Sequence, residues 1–236
     1  GGLSRLRGAD QLSALSLNER LGLETAQERA FLLASPQIQA ALQGRITKQA
    51  YLDYLAQAYH HVKHTAPLFR AARARLTPAQ SQFIPAFNEY IAEEEGHDEW
   101  ILRDIQHAGG DAESVQRSEP AAATEFMVAY AYDFIARKNA LGLLGMVYVL
   151  EGTSVALAQQ GASAVADALG LGPECFTYLT SHGALDQDHL RFFAGLMDRV
   201  EDAADQQAII EMARDMYGLF ADMFRGIDLE VRDAAA

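Results

Sequence analysis

Apolar residues recur along the chain three and four positions apart, the interval that places them on one face of a helix. The first such stretch carries Leu21, Leu23, Ala26, Ala30 and Leu33, and is predicted as a helix from an Asn18 cap to about Leu33. Ser35-Pro36 breaks it, and Pro36 suits the first turn of a short helix. Thr47 is read as the N-cap of a long helix through Tyr51, Leu55, Tyr59 and Val62, which Pro67 kinks or divides. Thr77-Pro78 opens a further helix through Phe83, Phe87, Ile91 and Trp100 to Gly109-Gly110. Ser118-Glu119-Pro120 begins one that runs to about Lys138. A Gly- and Ala-rich apolar run follows from Ala140 to about Leu169, where Gly145, Gly152 and Gly161 permit close approach of a helix or a ligand. Gly170-Leu171-Gly172-Pro173 reads as a loop, and helices are predicted over about 174–199 and 204–230. No segment shows the strict alternation of a strand. The expectation is an all-α protein of about seven or eight helices, with an irregular lead-in over 1–16 and a single helical domain over 17–236.

Composition narrows the partners. Half of the 236 residues are hydrophobic, enough for a substantial core. The 32 acidic residues outnumber the 19 basic ones, for a formal charge of −13. Nucleic acid and anionic membrane surfaces are therefore not expected partners, since both are met by basic footprints. Cys175 is the single cysteine, which rules out an internal disulfide and a cysteine-based zinc site and fits a reducing, cytoplasmic setting. Gly1-Gly2-Leu3-Ser4-Arg5 lacks the apolar stretch of a signal peptide, and no run reaches ~18 consecutive apolar residues, so no membrane span is expected.

Three segments place metal-ligand residue types inside apolar surroundings. Glu94 and His97 are three apart and would share one helical face; Glu93 also shares a face with His97 and competes for the same role. Glu151 closes the apolar run from Leu141, where a carboxylate is costly unless paired, protonated or bound to a cation. His182, Asp186 and His189 stand at i, i+4 and i+7, a single helical stripe. Carboxylates that bridge metals together with imidazoles are the donors that non-heme iron uses, and helical bundles supply them from inward-facing positions. The ordinary reading of each segment is a solvated or paired helix residue; their conjunction points to a metal site.

The runs Glu94-Glu95-Gly96-His97-Asp98-Glu99-Trp100, Leu150-Glu151-Gly152 and His182 to His189 resemble the three ligand helices of the heme-oxygenase-like di-iron oxidases, the TenA-like or iron-containing redox enzymes. The intervals agree as well, with 54 positions from His97 to Glu151 and 31 from Glu151 to His182. The resemblance spans about Tyr51 to Val200. It implies a heme-oxygenase/TenA-like bundle, with Glu94, His97, Glu151, His182, Asp186 and His189 as ligands and Glu151 as the bridging carboxylate. It also implies two Fe(II) ions per chain, O2 as co-substrate, a small organic substrate, and a homodimer as an available assembly. Some members carry the first carboxylate seven residues before the histidine; here Tyr90 holds that place, so the chain resembles the Glu-x-x-His subgroup. Heme is not expected, because the first helix has Glu24 and Glu28 but no histidine.

Two other functions stand beside this one. The same fold serves TenA-like hydrolases and cofactorless oxidases, and it also suits a helical protein that binds metal or ligand without turnover. Cys175 would be the nucleophile of a TenA-type hydrolase, but its place after Gly172-Pro173 reads as a small buried hydrophobe. His60 and His64 share a helical face, for which a polar face or a substrate entrance is the simpler reading than a second metal site. Tyr59, Phe87, Tyr90, Tyr148 and Phe192 are spaced to reach the ligands, against the default reading of core aromatics, and Trp100 is expected to pack between helices.

Overall fold

The computed structural model describes residues 14–183 and 187–234, without the side chains of residues 183 and 187. The expected lead-in over 1–16 thus lies largely outside the described residues, as does Asp186. Among the described residues the regular structure is helical throughout, with no strand.

The chain begins with α1 (Leu17–Glu24), α2 (Ala26–Leu33) and α3 (Pro36–Leu42). The cap of α1 is Ser16 rather than Asn18: the Ser16 hydroxyl accepts from the Glu19 N–H at 3.1 Å. Buried Thr25 interrupts the single helix expected here, its hydroxyl donating to the Leu21 carbonyl and ending α1. Next come α4 (Lys48–Val62) and α5 (Thr65–Arg75). Thr47 caps α4 as expected, accepting from the Ala50 N–H at 3.1 Å. The break between these two helices falls before Pro67, which sits in the first turn of α5, where its missing N–H costs nothing. Thr77 and Gln80 form a reciprocal capping box that opens a 3-10 turn (Pro78–Phe83).

The remaining elements are α6 (Ile84–Glu94), α7 (His97–His107), α8 (Ala112–Arg117), α9 (Ala122–Arg137), α10 (Leu143–Leu169), α11 (Thr177–Gly183), α12 (Gln187–Asp198) and α13 (Ala203–Arg225). Segments outnumber the expected helices because breaks divide the long predicted runs. The break at Glu95-Gly96 matters most: Gly96 has φ 89°, a left-handed conformation that ends α6 and starts α7 at a new angle.

The central helix α10 packs against α3, α11 and α13. Residues 140–169 form the one described helix long and apolar enough, by length and composition, to cross a membrane, but here it is the middle of the bundle. The contact with α13 requires Gly145, because a Cβ there would stand 2.3 Å from the Ile209 carbonyl oxygen and 2.9 Å from the Ala213 nitrogen. Phe87, Phe134, Leu144, Val149, Met212 and Met216 are fully buried in the main core around this contact. A second cluster joins α4, α7 and the Cys175 turn through Tyr51, Leu55, Ile101, Ile105 and Phe176. There the Tyr51 hydroxyl donates to the Cys175 carbonyl at 2.6 Å, and its ring stacks on Phe176 at 4.8 Å.

Candidate metal centre

A cavity of about 510 Å³ lies between α3, α4, α6, α10 and α11. Its wall is mostly aliphatic and aromatic, and the carboxylates and imidazoles gather at one part of it. Glu93, Glu94, His97, Glu151, His182 and His189 all line it. The structure thus brings five of the six expected ligands to one chamber; Asp186, the sixth, lies outside the described residues.

Glu94 and His97 do meet, but not by sharing a helical face. Glu94 is the last residue of α6 and His97 the first of α7, and the left-handed turn at Gly96 folds one toward the other. His97 Nδ1 lies 3.2 Å from Glu94 Oε2 and 3.1 Å from His182 Nε2. The three donor atoms fall within 4.8 Å of one another, the one such group of three among the described residues. Bonds of ~2.0–2.2 Å to a first-row divalent cation give neighbouring donors a separation of about 3.0–3.4 Å. Two of the three separations fall in that range and the third is within 4.8 Å, so the group is close to what a shared cation requires, and the donor chemistry fits iron.

Two local devices hold this group. The buried Asp104 of α7 accepts from the Thr177 hydroxyl and, at 2.8 Å, from the Tyr178 N–H. It thereby ties the start of α11, five residues before His182, to the helix that begins with His97. The ring of Trp100 stacks on His97 at 4.3 Å, and Tyr178 packs against His182 at 4.5 Å.

Electrostatics separate the three carboxylates. Burial pushes the Glu94 carboxyl up, but the hydrogen bond from His97 and the nearby His182, His97 and His189 rings outweigh it and leave its pKa below the ordinary value. Burial, then the charges of Glu94 and Glu93, push Glu151 up to about 7. A carboxyl held at that value beside two others is an anion waiting for a cation or a proton. Glu93 lies toward His189, with Oε1 3.9 Å from Nε2; burial raises its pKa, and His189 opposes the rise. Burial pushes His182 below its ordinary value, so the ring is neutral and able to ligate.

Of the aromatic residues spaced to reach the ligands, Tyr90 is the one in the wall; Phe87 is core, and Phe192 packs on Tyr90 from outside at 5.6 Å. Burial, then Glu151 and Glu93, raise the Tyr90 hydroxyl. Trp100, expected only as packing, also lines the chamber. His60 and His64 do not form a metal pair: His60 Nε2 meets the Ser118 hydroxyl at 2.9 Å and His64 Nδ1 meets the Tyr132 hydroxyl at 3.0 Å. The histidine between them, His61, is the one that enters the chamber wall. Burial, then His182 and His64, push it down to about 3. Tyr51, Tyr54 and His61, at i, i+3 and i+10 of α4, form the stripe that would have pointed to it. Cys175 is 1 % exposed and stands in the second hydrophobic cluster, outside the chamber wall.

Residues 52–221 match the family described as iron-containing redox enzyme. Among the curated proteins, none matches the sequence. Similar solved structures include a domain of unknown function with a heme oxygenase-like fold from Shewanella denitrificans. It is 24% identical with a TM-score of 0.81, over 91% of this chain and 92% of that one. A TenA homolog from Pseudomonas syringae is 13% identical with a TM-score of 0.74, over 92% and 94%. Heme oxygenase-1 from the cyanobacterium Synechocystis, in complex with heme, is 16% identical with a TM-score of 0.68, over 89% and 91%. These likenesses establish the heme oxygenase-like all-α fold.

Proposed function

We propose that this chain, which belongs to the iron-containing redox enzyme family, is an O2-dependent oxidoreductase that uses non-heme iron on a small organic substrate. The observation that carries this reading is the convergence of Glu94, His97 and His182, within 4.8 Å, on the wall of an apolar chamber. Those three would hold one ferrous ion; Glu151, His189 and Asp186 would complete a second position, with Glu93 beside His189. Iron held there would supply the activation of O2, giving it electrons and so making it able to oxidise the substrate.

The chain's own residues do the rest. Trp100 and Asp104 fix the orientations of His97 and of the helix carrying His182, the supporting role that outer-shell groups play at metal centres. Glu151, whose carboxyl is pushed up to about 7 by burial and by Glu94 and Glu93, would be held as the anion by the ion it ligates. The aliphatic wall excludes water from the substrate and strengthens every electrostatic contact inside. Against heme as the iron carrier stands the absence of histidine from α1 and α2. Against a cysteine-dependent TenA-type hydrolase stands the burial of Cys175 away from the chamber.

Anaerobic titration with Fe(II), metal analysis after desalting, and O2 uptake in the presence of a reductant test the proposal. Retained iron, lost in His182→Ala, with O2 consumption above that of free iron supports it. A wild-type chain that retains no iron, or that takes up heme with one-to-one stoichiometry instead, overturns it.

A further inference from the structure

Three side chains of the chamber wall carry a buried polar atom with no hydrogen-bond partner among the described residues: Gln37 Oε1, His61 Nδ1 and the Tyr90 hydroxyl. Buried polar atoms are nearly always paired, so one left over on a cavity wall is open to a water or a ligand polar group. Gln37 is the most specific of them. It stands on α3, beside the part of the chamber closed by Ile227 and Leu229. Its Nε2 donates to the Ile227 carbonyl at 2.9 Å and the Arg225 carbonyl at 3.3 Å. Two carbonyl partners fix which end of the amide is nitrogen, so Oε1 is left as an acceptor for which the protein supplies no donor.

The charge of the wall adds a second constraint. Among the described residues it contains no lysine or arginine; its ionisable groups are the carboxylates Glu93, Glu94 and Glu151, the four histidines His61, His97, His182 and His189, and tyrosines. An anionic ligand would have no cationic side chain to meet, whereas a neutral or cationic one is unopposed. A cavity of about 510 Å³ is of the size that encloses a drug-sized molecule.

Building on the reading of this cavity as the substrate chamber, we propose that it takes a largely hydrocarbon, non-anionic molecule bearing a hydroxyl or amine whose hydrogen Gln37 Oε1 accepts. His61 and Tyr90, beside the metal-ligand group, meet the polar atoms at the molecule's reacting part.

The protein carries its own reporter, since Trp100 is its single tryptophan and lies in the chamber wall against His97. Decan-1-ol, decylamine, decanoate and 1-methoxydecane are titrated against Trp100 emission, in the metal-free full chain and after anaerobic loading with Fe(II). Decan-1-ol and decylamine are expected to bind about tenfold tighter than the methyl ether, which lacks the donor, with decanoate weakest in the metal-free protein. Gln37→Leu is expected to bring alcohol and ether to the same affinity; Gln37→Met, which keeps the chain length, serves if the leucine variant loses its helical circular-dichroism signal. An alcohol-to-ether ratio unchanged in a folded Gln37 variant, or metal-free binding of decanoate as tight as that of the alcohol, overturns the proposal. Alcohol selectivity in a chain that retains no iron supports this inference while removing the iron-dependent reading; iron retention without that selectivity does the reverse.

Discussion

His61 gives the sharpest test of the electrostatics. It is 4 % exposed, and its pKa is pushed from 6.5 down to about 3 by burial, then by His182 and His64. In the unfolded chain the ring takes a proton below about pH 6.5; in the folded chain it stays neutral until about pH 3. Between those values the unfolded state binds more protons, so stability falls as the pH falls and is fully present only above the upper value. Each unit is worth ~1.4 kcal/mol, so acidification from pH 7 to pH 5 should cost about 2 kcal/mol through this one ring. Urea denaturation of the metal-free protein at the two pH values measures it. His61→Phe keeps a ring against Phe220, which now stands edge-on at 6.0 Å, and removes the titration. The variant should lose about 2 kcal/mol less than the wild type on acidification, whatever its stability at pH 7. Equal losses in the two proteins would show that His61 is not held neutral and would refute the reasoning.

Other outcomes follow from the same geometry. His182→Ala and Glu151→Ala should each lose iron retention with helix content unchanged; normal iron stoichiometry in either variant removes that residue from the ligand set. Gly96→Ala meets open space but must hold φ 89°, so it should cost about 1–2 kcal/mol in chemical denaturation and weaken Fe(II) binding by disturbing the approach of Glu94 to His97. Asp104→Ala leaves the Tyr178 N–H without its acceptor and should cost roughly 1–3 kcal/mol. If Asp104 positions the histidines, as its link between α7 and α11 implies, the same variant should also bind Fe(II) more weakly; a lowered melting temperature with unchanged iron affinity would restrict it to a structural role.

Much of this was legible in the sequence because helices advertise themselves through period and caps. Thr47 and Pro36 were readable from local chemistry alone, and the all-α class followed from the absence of alternation. The break at Gly96 was not readable, because a lone glycine in an apolar-periodic run is equally consistent with a continuous helix; its left-handed turn lets α6 pack on α5 while α7 packs on α4. The pairing of Glu94 with His97 was therefore foreseen on the wrong geometric ground. His61 was overlooked for a related reason. Residue spacing pairs His60 with His64, while which of three neighbouring histidines faces inward depends on partners such as Ser118 and Tyr132, far along the chain. Gln37 is an ordinary surface-type residue in sequence, and only its contacts with the carbonyls at 225 and 227 turn it into a fixed acceptor.

The close seat of Gly145 against α13 reaches further than stability. Glu151 stands six residues along the same helix, about 9 Å away on its axis. The backbone of α13 thus acts as a depth stop that sets how far this carboxylate projects into the chamber. The seam at Gly145 keeps the register of the acidic group along the chamber wall.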